Sequence, residues 1–360
     1  MSVEPLHAGP LTLAQRLTRM ILASGPISIA QYIAEANAHY YATRDPLGSA
    51  GDFTTAPEIS QMFGEMVGLC LADVWMRSGR RPNPYYVELG PGRGTLASDA
   101  LRAMEQAQLA PRVHFVETSP VLRECQQARL AHARFHDDLD TVPEDGPLLV
   151  VANEFFDALP IRQIEKTQAG WRERVVVPRP GREGEAFVGM AGERPMEAAV
   201  PAALRDAQDG EIYESGPAGA AVGFALAQRI ARQGGAALLI DYGYEGPALG
   251  DTLQAVRAHK MTDPFDDVGE SDLTAHVDFT MLGNVARQAG LRVYGPIGQG
   301  AFLTRLGIDA RADMLVRTSP DRADEVRIAR DRLVNTDQMG DLFRVMAFTH
   351  PDWATPEGFA

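Results

Sequence analysis

The chain has 360 residues, room for one large domain with insertions or for two, since a domain usually takes about 100 to 200. Its 45% hydrophobic and 23% charged content excludes a disordered or low-complexity protein. A net charge of −14, from 48 acidic against 34 basic side chains, repels a phosphate backbone and argues against generic nucleic-acid binding.

Residues 11–40 carry apolar side chains at helical spacing: Leu13, Leu17, Met20 and Ile21, then Ile29, Tyr32, Ile33 and Ala36 beyond the Gly25-Pro26 break. That spacing predicts two helices. A turn-rich segment over 45–58 precedes a helix with Ile59, Met62, Phe63, Met66, Val67, Cys70 and Val74 on one side. From Tyr85 the pattern becomes strand (85–89), glycine turn, helix (95–107) and strand (113–117), one βαβ unit. In a second unit Ser119-Pro120 makes an N-cap and first-turn pair for a helix to about Leu130, and Phe135 begins a short third strand. A fourth strand, 147–152, ends at Asn153-Glu154. About 80 residues then precede the next buried strand, 236–240, far beyond ordinary loop length, so the gap reads as an insertion. Short β segments at 163–165, 173–177 and 186–188 are expected inside it, with a returning helix over 218–232. Beyond come a polar stretch to Asp278, a helix to about Gln288, and strands at 291–294 and 342–348 with mainly helical residues 301–338 between them.

The chemistry concentrates where strands end. A glycine turn between strand and helix lets backbone N–H groups approach a ligand at a helix N-terminus. Here the turn is Glu88-Leu89-Gly90-Pro91-Gly92-Arg93-Gly94, spaced Gly-x-Gly-x-Gly rather than the Gly-x-Gly-x-x-Gly of dinucleotide sites. The acid ahead of the glycines, Glu88, suits a cationic ligand such as S-adenosyl-L-methionine, whose sulfonium and amino group are positive, and suits phosphates poorly. Glu117 closes the second strand 23 residues after Gly94, near the offset of roughly 20 at which an acid accepts hydrogen bonds from ribose hydroxyls; a helix-capping role ahead of Ser119 is the alternative. Asp137 and Asp138 are candidates for the adenine amino group, or are simply solvated. Thr54 and Thr55, with Glu58, belong to a segment (51–58) expected to fold over the cofactor as a lid, or else merely to start the following helix.

The fourth strand delivers Asn153, Glu154, Phe155, Phe156 and Asp157 to the carboxyl edge, where open α/β sheets bind ligands. Glu154 and Asp157 are spaced to share a guanidinium, with Asn153 beside them and aromatic faces for its flat cation. The bland alternative has both phenylalanines packing the insertion. His276 and Asp278 read more readily as structural groups than as base and orienter. No metal is required. Two cysteines, Cys70 and Cys125, both at helical spacing, imply core thiols in a reducing compartment. With neither a signal-like start nor a run of about 18 apolar residues, the reading is a cytoplasmic protein with no membrane insertion.

Five runs carry a family resemblance: 51–61 (Gly51-Asp52-Phe53-Thr54-Thr55-Ala56-Pro57-Glu58-Ile59-Ser60-Gln61), 87–96, 153–160, Leu239-Ile240-Asp241-Tyr242-Gly243-Tyr244, and Asp272-Leu273-Thr274-Ala275-His276-Val277-Asp278-Phe279. Together they resemble the MidA family, which includes the mitochondrial complex I assembly factor 7, over nearly the whole chain. The resemblance implies a class I, Rossmann-like methyltransferase fold with a seven-stranded, mostly parallel sheet of order 3-2-1-4-5-7-6. It implies N-terminal helices and a lid over 1–80, a core formed by 81–160 and 235–350, and a β-rich accessory insertion at 161–234. It also implies symmetric dimethylation of an arginine on a 49-kDa-type subunit of respiratory complex I, here by a bacterial member. Three other activities fit the residues: an assembly chaperone that binds the cofactor without methyl transfer, a small-molecule methyltransferase, and a nicotinamide-dependent oxidoreductase. The oligomeric state is not encoded in any motif.

Overall fold

The computed structural model of the protein describes residues 11–43, 54–182, 184–257 and 260–359. Residues 51–53, the first part of the expected lid, lie outside them. The chain forms two compact units, 1–40 with 160–215 and 248–274, and 41–159 with 216–247 and 275–360.

The larger unit is built on an eight-stranded sheet. From one edge to the other run Arg292–Gly298, Phe343–Thr349, Gly235–Tyr244, Leu148–Asn153, Tyr85–Leu89, Arg112–Val116 and Arg134–His136, and the short strand Val277–Asp278 pairs with the end of Gly235–Tyr244. Phe343–Thr349 is antiparallel to both neighbours, and the remaining ladders are parallel. The eighth strand, Val277–Asp278, is an addition to the seven expected. All six residues of Leu148–Asn153 are buried because helices cover both faces. Strand alternation divides them: Leu149 and Val151 join the cluster beneath helices Gln61–Arg77 and Thr95–Gln106, while Leu148, Val150 and Ala152 join the one beneath Pro217–Gln233 and Phe279–Gln288.

Local chemistry starts these helices where the sequence places caps. The Ser60 hydroxyl accepts from Met62 N at 3.2 Å, the Ser119 hydroxyl from Leu122 N at 3.2 Å, and Asp278 Oδ1 from Met281 N at 3.1 Å. Asp278 is thus a helix cap, the structural role the sequence favoured for it.

Two glycines let the helix Gln61–Arg77 approach the helix that follows the glycine turn. A Cβ on Gly68 would lie 2.4 Å from the Ala100 carbonyl oxygen, and one on Gly64 would lie 2.7 Å from Asp99 Cβ. On the same helix, buried Glu65 receives Arg311 in a two-pronged pair at 2.7 and 2.9 Å and Arg102 at 3.1 Å.

The smaller unit joins helices Leu13–Ser24 and Ile29–Thr43 up to Tyr40 with a five-stranded antiparallel sheet and a three-stranded one. The first helix begins with a capping box between Thr12 and Gln15. Inside the five-stranded sheet, Ile27–Ser28 pairs with Gly170–Pro178, and Arg162–Thr167 and Ile212–Ser215 complete the path with Phe187–Pro195 alongside. The stretch read as polar, up to Asp278, contains Gln254–Arg257, Lys260–Thr262 and Asp272–Thr274, a small sheet. Its strands have too few residues for their alternation to stand out.

These units divide the chain differently from the expected boundaries. The helix Pro217–Gln233 belongs with the sheet unit, since Leu226, Ala227 and Ile230 are fully buried in its core. Residues 248–274 belong with the smaller unit: Leu249 bridges Tyr213, Phe187 N donates to Phe265 O, and the Tyr32 hydroxyl donates to Pro264 O. Tertiary pairing, not adjacency along the chain, sets both assignments.

Forcing a methyl group into the helix contact gives a direct check. Gly68→Ala is expected to cost about 1 to 3 kcal/mol of stability in denaturant unfolding, as overpacking of a filled core does. Gly250→Ala, whose added Cβ meets only Thr252 Cγ2 at 3.6 Å, is expected to cost less than about 0.5 kcal/mol.

Candidate active site

The glycine turn sits where Tyr85–Leu89 reaches the carboxyl edge, and its backbone explains its composition. Gly90, Gly92 and Gly94 have φ of +61°, +54° and +76°, the left-handed region that costs other residues strain. Gly94 caps the helix Thr95–Gln106, its N–H donating to Pro91 O at 2.8 Å. Gly90 N–H is held by Val116 O at 3.0 Å, and a Cβ at Gly90 would strike the Phe155 ring at 2.9 Å. The turn therefore presents bare backbone, with Phe155 against it.

Around this turn stand acids. Glu88 is 2% exposed, and its neighbour is the Tyr86 hydroxyl, donating at 2.6 Å, rather than a cation. Burial pushes its carboxyl up to about 8, against the Tyr86 hydrogen bond, which lowers it. Glu117 is also buried; burial raises its carboxyl, partly offset by Ser119 N donating to Oε1 at 2.8 Å and Gln126 Nε2 to Oε2 at 3.2 Å. It therefore braces the start of the next helix as well as facing the turn's network. Gln126 also donates to Gly92 O at 2.6 Å, which ties the acid to the turn, and its own buried Oε1 has no protein partner. Glu58 accepts from the Thr95 hydroxyl at 2.5 Å at the first residue of the turn's helix. Thr55, buried, and Thr54, half-buried, precede the one-turn helix Ala56–Ile59, which Thr55 does not cap through its side chain. Asp137 and Asp138 are exposed: Asp137 pairs with Arg123 at 2.7 Å, and Asp138 Oδ1 accepts from Thr141 N at 3.1 Å as the cap of a single 3-10 turn.

On the neighbouring strand, Asn153 and Asp157 are buried and Glu154 is half-buried. Glu154 has φ +50° and its N–H donates to Ile240 O at 2.9 Å. Its Oε1 accepts from Asn153 Nδ2 at 3.3 Å and from Ala56 N at 3.4 Å. Phe155 and Phe156 meet edge to face at 5.4 Å. Glu154 and Asp157 do not share one environment: the Asp157 carboxyl takes the Tyr242 hydroxyl and lies fully buried beside Asp241. Burial raises Asp157 to about 6, and Asp241 is pushed well above the ordinary carboxylate range by burial and by the charges of Asp157 and Glu154. His276 meets Tyr242 edge to face at 5.6 Å, and burial lowers its imidazole toward the neutral form.

Sequence reasoning did not single out Asp241, Tyr242 or Gln126. Asp241 and Tyr242 stood in one of the family-like runs, and the available signal was an acid at the end of the strand beside 148–153. Gln126 left none, being one polar residue on a helix.

The residues fit a cationic nucleoside. Bare left-handed glycines make room for it; among the described residues, Glu88 is a buried acid with no basic neighbour, and Asn153 Oδ1, Asp157 Oδ1 and Gln126 Oε1 are buried acceptors without partners.

Known proteins agree with that fit. The model of an S-adenosyl-L-methionine-dependent methyltransferase family matches residues 66–297. The chain is 36% identical over 381 residues to mouse protein arginine methyltransferase NDUFAF7, mitochondrial, covering 96% of this chain and 86% of the mouse protein. It is 35% identical to the human protein of that name, covering 96% and 85%. A COG1565 superfamily member from Burkholderia thailandensis, crystallised with S-adenosyl-homocysteine, superposes with a TM-score of 0.83 at 27% identity, over 97% of this chain and 94% of that one.

Because Glu88 holds a proton below about 8, binding a cation there expels it. Cofactor affinity measured by calorimetry is expected to fall as pH drops below about 8, with proton release seen as a buffer-dependent heat. Glu88→Gln should abolish that pH dependence and weaken binding about tenfold, roughly 1.4 kcal/mol. Without ligand the sign reverses. The raised carboxyl stabilises the fold fully below its unfolded value of 4.5, and that contribution is lost as pH rises through about 8, so Glu88→Gln should melt higher than wild type at alkaline pH. On its glycine turn, its buried acids and its full-length likeness to these relatives, the chain belongs to the MidA family of S-adenosyl-L-methionine-dependent methyltransferases.

Proposed function

We propose that the acceptor is an arginine of a protein, symmetrically dimethylated, and that the protein is the 49-kDa-type subunit of respiratory complex I or its bacterial counterpart. The observation that carries this reading is Glu154. It is a half-buried carboxylate set in a left-handed backbone position beside the glycine turn, with Phe155 between them. The relatives' name, protein arginine methyltransferase, supports the same acceptor class. The fold assignment that accompanies it is a class I, Rossmann-like core of seven strands extended by the eighth, with 160–215 and 248–274 in a separate accessory unit. Action in a bacterial cytoplasm is part of the proposal and rests on the sequence reading.

The cofactor, when bound, supplies an electrophilic methyl group on a positively charged sulfur. A guanidinium spreads its charge over three nitrogens and is a poor nucleophile. Glu154, paired with two of them, draws the charge toward itself and leaves the third nitrogen freer to attack. As the methylated guanidinium relaxes, a nitrogen paired with Glu154 would give its proton to that half-buried carboxylate, which would return it to solvent. Half-buried Phe155, braced edge to face by the core residue Phe156, offers the planar cation an aromatic face and reduces water at the reacting nitrogen.

Purified protein, labelled cofactor and lysate from cells lacking this gene provide the test, followed by peptide mapping. One labelled protein carrying symmetric dimethylarginine is expected, with Glu154→Gln reducing incorporation by about a hundredfold or more. Label confined to small molecules, or none with the wild-type protein, would rule the reading out.

A further inference from the structure

Asp241 is the least expected group in the sheet unit. It is 1% exposed, one residue past the last pair that Gly235–Tyr244 makes with Leu148–Asn153, and carries an acid where a buried strand ordinarily carries an apolar residue. Among the described residues its charged neighbours are the acids Asp157 and Glu154 and no basic side chain. A buried acid among acids is destabilising unless its oxygens are filled.

They are filled by backbone. Asp241 Oδ2 accepts from Phe156 N at 3.0 Å and from Asp157 N at 3.2 Å, and Oδ1 accepts from Tyr242 N at 3.0 Å. The two donors on Oδ2 are the second and third residues after Glu154. The turn they belong to is pinned on both flanks: Glu154 N donates to Ile240 O at 2.9 Å, and Ala275 N donates to Asp157 O at 3.0 Å. Glu154 itself sits at φ +50°, a conformation a glutamate does not hold unless its surroundings impose it.

We propose that Asp241 is a positioning residue for methyl transfer: by receiving the N–H groups of Phe156 and Asp157 it holds the turn that aims the Glu154 carboxylate at the acceptor. The inference rests on the reading of Glu154 as the acceptor carboxylate. It explains why the position needs an acid. Three N–H groups converge on two oxygens, and an amide in the same place has one oxygen, so its NH2 group would face a backbone donor. Asparagine keeps the volume and loses the fit.

The test is a double-mutant cycle on methyl incorporation into the same lysate, normalised to cofactor-binding sites titrated by calorimetry. Asp241→Asn is expected to reduce incorporation roughly 10- to 100-fold while cofactor affinity stays within about twofold, because the glycine turn lies on another strand. Asp241→Asn combined with Glu154→Gln should be no slower than Glu154→Gln alone, since a residue acting through Glu154 has nothing further to remove. Asp241→Ser, which accepts one of the N–H groups without opposing another, should recover part of the loss.

Losses that multiply in the double variant would overturn the proposal, as would full incorporation by Asp241→Asn. If neither Asp241 variant yields cofactor-binding protein, the residue serves the fold as a whole, and the proposal is likewise overturned. A different outcome exposes the reading beneath it: full activity in Glu154→Gln removes the acceptor carboxylate and leaves the Asp241 variants to be judged as structural changes.

Discussion

Acidic side chains buried without basic partners at the carboxyl edge of one sheet are the constraint on which this protein turns. Glu88, Asp157 and Asp241 lie on three adjoining strands or just beyond their ends, each almost wholly buried, and none has a cation among the causes acting on its carboxyl. Such groups lower stability unless a proton, a set of N–H donors or a positive ligand offsets them. The protein uses all three. Protonation suits Glu88 in the free protein, backbone donors satisfy Asp241, and a cationic ligand completes the edge. An enzyme that binds a sulfonium has a physical reason to keep such an edge.

That edge needs a rigid support, and much of it is steric. Gly64 and Gly68 bring two helices to backbone contact, so the helix starting at Thr95, and with it the glycine turn, cannot drift from the sheet. Glu65, on the same face, binds Arg311 and Arg102 and locks the helix 308–318 to this pair. On the opposite side, buried Arg229 donates to the carbonyls of Leu139, Val142 and Pro143, which fixes the loop leading into the strand that carries Asn153 and Glu154. The glycine turn and the turn after Asn153 are thereby held by separate devices and meet where Phe155 lies against Gly90.

Much of this was readable from residues alone. The strand, glycine turn and helix at 85–106, the helix cap at Ser119-Pro120 and the strand ending at Asn153 all follow from signals lying within a few residues of one another. Glu88 and Glu117 were singled out by spacing inside one βαβ unit, and the structure buries both. Asp137 and Asp138, singled out at a strand end, are exposed, one paired with Arg123 and the other capping a 3-10 turn, contacts set by residues nearby in the chain. Glu154 and Asp157, three residues apart, looked like one pair, yet tertiary contacts point one toward Ala56 and bury the other against Tyr242.

The sequence by itself determined the class of protein, since the glycine positions, the preceding acid and the order of strands and helices reflect local backbone sterics and short-range periodicity. Only the tertiary structure decided that 248–274 joins the small antiparallel sheets, that the helix 217–233 belongs to the core, and that Asp241 holds the turn after Glu154. Those outcomes depend on contacts between distant residues, such as the hydrogen bonds of Phe156 with Asp241 and Phe187 with Phe265 and the packing of Leu226 and Ile230 in the core, and no local pattern records which distant partner a chain will choose.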